Sequence, residues 1–224
     1  MATATATINL NAIRKNWQKL RSLSSNDAAA VVKANAYGLG LKQVAKALYV
    51  EGARIFFVAT AEEGAELRSI LGETSDIYVF SGHMVGDTEL IKNYNLIPLI
   101  NSIEQLSRHS KLLREQKFGV QLDTGMNRLG LEPMEWEASK ELTLSLNPVL
   151  IMSHLACADE PNHKMNINQL NNFLTLTNKI NINKSLAATG GILLGPEYHF
   201  DLTRPGIGIY GCSPMQDCLP RPEN

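Results

Sequence analysis

Short apolar runs alternate with segments of helical periodicity along almost the whole chain. The runs that predict strands cover residues 28–33, 55–60, 76–81, 96–101, 118–123, 149–155, 185–189 and 207–210. These eight runs are continuously apolar rather than alternating, which is typical of strands that other structure covers on both faces. A shorter run over residues 6–10 predicts a strand stub ahead of them.

Helical periodicity fills the intervals between these strands. In the first helix Ile13, Trp17 and Leu20 recur at a spacing that places them on one face. Pro133 opens a later helix, where proline is favoured because the first N–H groups of a helix have no partner inside it. The predicted helices cover residues 11–23, 42–50, 61–71, 87–93, 103–116, 133–144 and 167–179.

Eight βα units in one chain predict an α/β fold of the (β/α)8, TIM-barrel type, with an open doubly wound sheet as the alternative. We expect residues 1–211 to form this domain. Residues 212–224 are rich in proline and polar side chains, so we interpret them as a boundary segment.

The composition restricts the class of protein. Of the 224 residues 44% are hydrophobic, and 21 basic residues nearly balance 22 acidic ones. This balance argues against a nucleic-acid or anionic-membrane partner, and no apolar run is long enough to predict a spanning helix. The three cysteines, Cys157, Cys212 and Cys218, have no spacing typical of a metal site. We therefore expect no bound metal. Because the N-terminus has no signal-peptide pattern, we also expect a cytoplasmic protein.

In a barrel, functional side chains lie at the carboxyl ends of the strands. Lys33 ends the first predicted strand, and Tyr37, Gly38 and Gly40 follow it. An amine at this place can form a Schiff base with a carbonyl compound if its surroundings favour the neutral form. An exposed lysine without a function is the alternative, because most lysines in proteins are exposed.

Two further candidates follow later strands. Arg128 lies in LDTGMNRLG and is able to clamp a carboxylate or a phenolate, or alternatively to pair with Asp123. His154 closes the sixth strand in SHLACADE, although a lone histidine is also common as a structural residue.

Two glycine-rich segments, TGGILLG and RPGIGIYG, lie where barrels commonly bind phosphate. Gly190, Gly191, Gly206 and Gly208 would expose backbone N–H groups there, or would serve only tight turns. A lysine at the mouth and a phosphate site together favour pyridoxal phosphate, because this cofactor carries both an aldehyde and a phosphate.

Taken in order, these segments resemble the alanine racemases, pyridoxal-phosphate enzymes with a fold-type III N-terminal barrel and a C-terminal β domain. VVKANAYGLG resembles the lysine signature of that family, and LDTGMNRLG its arginine segment. FFVATAEEGAELR, IYVFSG, LIPLINSIEQL, SHLACADE and HFDLTRPGIGIYG also match, so the resemblance covers residues 6–211. It implies an isomerase that interconverts L- and D-alanine, supplies D-alanine for peptidoglycan and assembles as a homodimer.

The resemblance also implies roles for individual residues. Lys33 would hold the cofactor covalently and, once substrate displaces it, act as the catalytic base for the α-proton of D-alanine. Arg128 would contact the phenolic oxygen of the cofactor and place the substrate carboxylate, and His154 would pack against the pyridine ring. The residues expected to bind the cofactor are Lys33, Tyr37, Arg128, His154, Thr189, Gly190, Arg204, Gly206 and Ile207.

In the same comparison Tyr37, Thr189 and the backbone around Gly206 would hold the phosphate, and Arg204 would face the pyridine nitrogen. Because arginine does not give up its proton, it would donate a hydrogen bond to an unprotonated nitrogen. The ring is then a weaker electron sink than one paired with an aspartate, which favours racemisation and argues against a decarboxylase.

Three residues depart from the family pattern. Leu39 stands where the lysine signature usually has a histidine, Gln121 where a lysine precedes DTGM, and Ala188 where an asparagine precedes the phosphate region. The second catalytic base of the family is a tyrosine in the C-terminal domain of the partner subunit, which this sequence does not contain. We therefore expect weak or no racemisation by this chain alone. A free-standing barrel that binds the cofactor without racemase activity is the alternative.

Overall fold

The computed structural model describes residues 4–215, so Cys218 and most of the expected boundary segment lie outside the described residues. Short parallel strands surround the centre of the molecule in sequence order. They are β1 (Asp27–Ala28), β2 (Ala30–Val31), β3 (Ile55–Val58), β4 (Asp76–Val79), β5 (Ile97–Ile100), β6 (Gly119–Gln121), β7 (Leu150–Met152), β8 (Lys184–Ser185) and β9 (Leu202–Thr203). β2 to β8 form one sheet, and β1 pairs with β9.

The β1–β9 pair closes this sheet into a barrel. β1 and β2 belong to one extended segment, of which β1 pairs with β9 and β2 pairs with β3. The Ala29 N–H donates to the Thr203 carbonyl at 2.9 Å, and the Arg204 N–H donates to the Ala187 carbonyl at 2.8 Å. The predicted (β/α)8 barrel is therefore confirmed over the open doubly wound sheet, because the strand order never reverses.

Helices connect the strands and cover the outside of the barrel. They are α1 (Leu10–Leu23), α3 (Leu41–Glu51), α4 (Ala61–Leu71), α5 (Thr88–Asn93), α6 (Ile103–Leu112), α7 (Pro133–Ser145), α8 (Lys164–Leu176) and α9 (Thr189–Leu194), with 3-10 helices at Pro196–Tyr198 and Ile207–Tyr210. The segment α2 (Lys33–Tyr37) is a single turn that is left-handed over residues 34–37. Between residues 4 and 215 no helix is long and apolar enough to cross a membrane.

Two predicted strands are wrong. Residues 6–10 form no strand, because Asn9 caps α1 and its Oδ1 accepts two N–H groups of the first turn. Residues 207–210 form a 3-10 helix, in which the Ile209 N–H donates to the Gly206 carbonyl at 2.9 Å. The last strand is β9, just before the glycine-rich segment. The other glycine-rich segment opens α9, which the apolar pattern does not predict.

The strands bury both of their faces. One face fills the barrel interior, where the rings of Phe57 and Tyr78 stack with centroids 4.7 Å apart. The other face packs against the helices, together with the fully buried Trp17 of α1 and Trp136 of α7. This double burial explains the continuous apolar runs.

Candidate active site

The predicted site residues converge at the carboxyl ends of the strands. Lys33 follows β2, Arg128 lies between β6 and α7, and His154 follows β7. Burial lowers the pKa of His154 to about 3, and the charges of Arg204, Arg128 and Lys33 add to this effect. A neutral histidine therefore lies among three cationic side chains.

Lys33 is half-buried, with Nζ 5.7 Å from the centroid of the Phe80 ring and 6.0 Å from that of Tyr37. Burial lowers the pKa of the Lys33 amine, the charge of Arg128 lowers it further, and the charge of Glu63 opposes both effects. A lowered pKa increases the fraction of neutral amine near neutral pH. The neutral amine is the form that acts as a nucleophile or a base.

A left-handed turn follows Lys33. Residues 34–37 have φ of 52–55°, although none of them is glycine. This conformation costs an L-residue about 1–2 kcal/mol, so neighbouring groups must hold it. Asn35 is one such group, because its Oδ1 accepts the Leu41 N–H at 2.7 Å. The turn brings Tyr37 back beside Lys33, and no sequence pattern predicts it.

Tyr37 packs against the last turn of the barrel. Its ring lies 4.6 Å from the ring of Tyr210, whose hydroxyl donates to the Val31 carbonyl at 2.8 Å. A Cβ on Gly206 would come within 2.5 Å of the Tyr37 hydroxyl, so any other residue there would displace this hydroxyl. Burial raises the pKa of Tyr37, which therefore remains protonated and able to donate a hydrogen bond.

Thr189, the first residue of α9, lies on the other side of Gly206. Its Oγ1 accepts the N–H groups of Gly206 at 3.1 Å and Gly208 at 3.2 Å. Because both acceptor positions of the oxygen are used, the hydroxyl hydrogen remains to donate. Tyr37 and Thr189 thus offer two hydroxyl donors around Gly206, an arrangement that fits the oxygens of a phosphate.

Gly190 and Ile207 border the same region. A Cβ on Gly190 would come within 2.8 Å of the Ala158 side chain and 3.0 Å of its carbonyl oxygen. This close packing is sufficient to explain the glycine without a ligand. Ile207 begins the 3-10 helix and is exposed.

Arg204 is fully buried beyond β9 and has no carboxylate partner among residues 4–215. Its terminal nitrogens donate to neutral acceptors, namely the Ser185 hydroxyl, the Ser153 carbonyl at 2.6 Å and the Leu186 carbonyl at 3.3 Å. Its Nε makes no hydrogen bond within the described chain. Burial lowers the pKa of Arg204 to about 9, so the guanidinium is still charged at neutral pH. A buried cation whose Nε has no acceptor in the described chain fits a basic ring nitrogen.

Arg128 is exposed in a loop that Asp123 shapes. Asp123 Oδ1 accepts the N–H groups of Gly125, Met126 and Asn127 at 2.8, 2.9 and 3.2 Å. The carboxylate thus folds the loop backbone, and the alternative pairing of Asp123 with Arg128 is not found. Arg128 has no ion pair within residues 4–215, which leaves its guanidinium available to an anionic ligand.

Gln169 of α8 supports the site and is not revealed by the sequence pattern. Its Oε1 accepts the Ala156 N–H at 2.8 Å, and its Nε2 donates to the His154 carbonyl at 2.9 Å and to Thr124 Oγ1 at 3.1 Å. The side chain therefore joins the loop of His154 to the loop of Arg128. A single glutamine in a helix has no local signal, because its partners come from other loops.

The three departures from the family pattern take ordinary structural positions. Gln121 Nε2 donates to the Leu129 carbonyl at 3.1 Å. Leu39 packs against the outer apolar core, and Ala188 precedes α9 without a side-chain cap.

Comparisons with known proteins indicate the family. The family model described as alanine racemase, N-terminal domain, matches residues 8–214. A protein of Cereibacter sphaeroides named alanine racemase is 58% identical over 222 residues, which cover 98% of this chain and 64% of that protein. An alanine racemase of Rhizobium meliloti is 47% identical over 94% of this chain and 57% of its own length.

Solved structures agree in fold. An alanine racemase from Bartonella henselae with covalently bound pyridoxal phosphate matches with a TM-score of 0.91 and 37% identity, over 96% of this chain and 65% of that chain. The biosynthetic alanine racemase from Pseudomonas aeruginosa matches with a TM-score of 0.85 and 35% identity, over 93% and 60%. This chain thus spans 64% of the length of the Cereibacter relative. With the family model covering nearly all of it, the chain belongs to the alanine racemase family and contains its N-terminal domain.

Proposed function

We propose that this chain is the cofactor-binding barrel of a pyridoxal-phosphate-dependent racemase that interconverts L- and D-alanine. The observation that carries the proposal is the half-buried Lys33, whose pKa is lowered and whose Nζ lies 6.0 Å from the Tyr37 ring. The Tyr37 hydroxyl and Thr189 both lie against Gly206 and offer two hydroxyl donors. The same proposal assigns residues 1–211 to the cofactor domain and residues 212–224 to a segment that leads toward a C-terminal domain. It includes a cytoplasmic location and the supply of D-alanine for peptidoglycan, both of which rest on the family resemblance.

The cofactor would be held at both ends. Lys33 Nζ would attach to the aldehyde carbon with loss of water, and the hydroxyls of Tyr37 and Thr189 would donate to the phosphate. Gly206 keeps the backbone close to these hydroxyls because it has no side chain. Arg128, in the loop that Asp123 folds, would contact the phenolic oxygen. Gly190, Ile207 and the neutral ring of His154 complete the walls.

Pyridoxal phosphate, when bound, supplies an electron sink that acidifies the α-proton of an amino acid. Arg204 limits this sink, because a guanidinium donates a hydrogen bond to the ring nitrogen without giving up its proton. Arg204 keeps its charge because its four acceptors are neutral, namely the Ser185 hydroxyl, the carbonyls of Ser153 and Leu186, and His154 Nδ1 at 3.5 Å. A limited sink favours return of the proton over further chemistry.

Lys33 would also remove and return a proton on one face of the substrate. Its lowered pKa leaves part of the amine neutral and able to accept the α-proton of D-alanine. Arg128 would orient the substrate carboxylate. Racemisation needs a second base on the opposite face, and the resemblance assigns that role to a tyrosine of the partner subunit's C-terminal domain. We therefore expect residues 1–211 to bind the cofactor and to racemise alanine only weakly.

The test is to add pyridoxal phosphate to the purified chain, record its absorbance spectrum, reduce with borohydride and map the modified peptides. We expect a visible absorbance band and a reduced adduct on Lys33. An adduct spread over exposed lysines such as Lys42, with Lys33 unmodified, would contradict the proposal. A separate assay of L- to D-alanine conversion tests the weak activity, since turnover close to that of a two-domain racemase would contradict it.

A further inference from the structure

The left-handed turn over residues 34–37 requires support from outside itself. L-residues avoid this conformation, so four in succession persist only where surrounding groups hold them. The turn begins directly after Lys33 and ends at Tyr37, two residues of the candidate site. Whatever holds the turn therefore also determines where Lys33 lies.

Glu63 of α4 makes this connection. Its Oε1 accepts the Ala34 N–H at 2.8 Å, and its Oε2 accepts the Ala59 N–H at 2.7 Å. Ala34 is the neighbour of Lys33 in the chain, whereas Ala59 directly follows β3. One carboxylate thus ties the start of the turn to the end of the adjacent strand. Thr60 caps α4 and accepts the backbone N–H of Glu63 at 3.4 Å, which holds the backbone of Glu63 in the first turn of the helix.

Glu63 also brings the negative charge that acts on Lys33. The titratable groups around Nζ come from four elements of the barrel: Glu63 from α4, Arg128 from the loop before α7, Tyr37 from the turn and His154 from the loop after β7. Among them Glu63 raises the pKa of Lys33, while burial and Arg128 lower it.

We propose that Glu63 is a positioning residue for Lys33, whose carboxylate clamps the left-handed turn to the end of β3 and balances the charge of Arg128 at Nζ. The inference rests on the proposed function in taking Lys33 as the point of cofactor attachment. Glu63 acts through Lys33 and the turn, because its two carboxylate oxygens are already occupied by backbone N–H groups.

The experiment compares Glu63→Gln with Glu66→Gln, an exposed glutamate one turn away on the same helix, in the chain without cofactor. Amide exchange is followed by NMR at Ala34 and Ala59. Acylation of Lys33 across a pH range is followed by competitive labelling and peptide mapping. The two N–H groups bond to different carboxylate oxygens, and the amide replaces one of these oxygens by an NH₂ donor. We therefore expect exchange at one of the two amides to become about tenfold faster or more in Glu63→Gln.

The acylation midpoint of Lys33 should move to lower pH in Glu63→Gln, because the negative charge is lost while burial and Arg128 remain. Glu66→Gln should change neither readout. A midpoint that moves to higher pH would show that the turn has merely opened and exposed the amine. That result, or unchanged exchange at both amides, would overturn the proposal.

A third variant separates the effect of the carboxylate charge from that of the side-chain length. Glu63→Asp keeps the charge but is one methylene shorter, so it should speed exchange at one or both amides and leave the acylation midpoint near that of the parent chain. Since neither readout uses the cofactor, the clamp and the cofactor site can fail independently. If the parent forms no adduct on Lys33 while Glu63→Gln still lowers the midpoint, the proposed function fails and the clamp stands.

Discussion

Two buried arginines at opposite ends of the barrel use the same side chain differently. Arg68 of α4 lies toward the amino ends of the strands. Its guanidinium donates to the carbonyls of Gly72, Ser75, Tyr94 and Asn95 at 2.7–2.9 Å. These carbonyls belong to two loops that lead into strands, and Nε and both terminal nitrogens all donate. Arg68 therefore fastens the two loops and leaves nothing for a ligand.

Arg204 lies at the carboxyl ends of the strands, and fewer of its guanidinium nitrogens have a hydrogen-bond acceptor. Its terminal nitrogens have neutral acceptors, but Nε has no hydrogen bond within residues 4–215. His154 and Arg128 nearby add no negative charge. Each of the three guanidinium nitrogens of Arg68 has an acceptor, and Glu73 Oε2 lies 4.0 Å from its Nε. A buried arginine thus indicates a structural role when every nitrogen and its charge have a partner, and a ligand when a nitrogen and the charge have none.

The surroundings of the two arginines repeat this contrast. At the amino ends, around a cavity of about 180 Å³, Lys117 pairs with Asp76 at 3.7 Å, and Asp201 accepts the Lys184 N–H at 2.8 Å. At the carboxyl ends Arg128 and Arg204 have no ion pair within residues 4–215, although the charge of Glu63 acts on Lys33. The two arginine charges are thus left available at this end, as expected for a barrel whose site lies at the carboxyl ends.

The largest expected effect is on stability at the amino end. Arg68→Met leaves four carbonyls without their donor, so we expect the free energy of unfolding to fall by about 3 kcal/mol or more. Arg204→Met also removes hydrogen bonds, but it removes an unpaired buried charge as well, so the loss should be about 1–2 kcal/mol. Urea unfolding of both variants checks this order. Equal losses would break the comparison between the two arginines.

For cofactor binding we expect substitution of Arg204 to have a larger effect than substitution of Arg68, the reverse of their effects on stability. Arg204→Lys keeps a charge but loses the planar fork, so we expect pyridoxal phosphate to bind about tenfold to a hundredfold more weakly. Arg68→Lys should leave the dissociation constant unchanged. A titration by absorbance measures both, and equal weakening in the two variants would mean that Arg204 affects the cofactor only through stability.

A smaller effect is expected at the phosphate end of the site. Gly206→Ala adds a Cβ within 2.5 Å of the Tyr37 hydroxyl, which should weaken cofactor binding about tenfold by displacing that hydroxyl. In a Tyr37→Phe background the same substitution should cost little more, because the hydroxyl is already gone. Additive losses in the double variant would argue that Gly206 and Tyr37 act separately.

The last effect concerns pH at the cationic end and is absent near neutral pH. The pKa of His154 is about 3 in the folded chain against 6.5 normally, so the unfolded chain binds more protons between these values. Stability from this group is therefore present above about pH 6.5 and is lost as the pH falls toward 3. We expect His154→Gln to flatten this part of the urea-unfolding profile, whereas the exposed His163→Gln should not. Superimposable profiles for His154→Gln and the parent would contradict this.

Most of the fold could be predicted from the local sequence pattern, and the wrong predictions have a local cause. The helix over residues 61–71 was predicted with its observed bounds, because Thr60 caps it and its apolar face is regular. The strand predicted at 207–210 is wrong because a four-residue apolar run between glycines fits a 3-10 turn as well as a strand. The helix at TGGILL could not be predicted, since glycine has a low helix propensity.

The candidate site was only partly open to prediction. Lys33, Arg128 and His154 follow apolar runs and could be selected from position, but Arg204 and Thr189 became candidates only through the family resemblance. The supporting residues Glu63 and Gln169 were not predicted. Their partners lie in other loops, and a polar residue on a helix gives no local sign of such partners.

The sequence by itself determined the order and type of the elements, because continuous apolar runs and helical periodicity depend on residues close together in the chain. It also determined which chemical groups are present. Only the tertiary structure decided which of them are buried, charged and unpartnered. Closure of the barrel brings Lys33 beside Glu63 and Arg128, and it brings Tyr37 against Gly206. A shifted pKa or an unused donor depends on distances between residues far apart in sequence, and folding alone sets those distances.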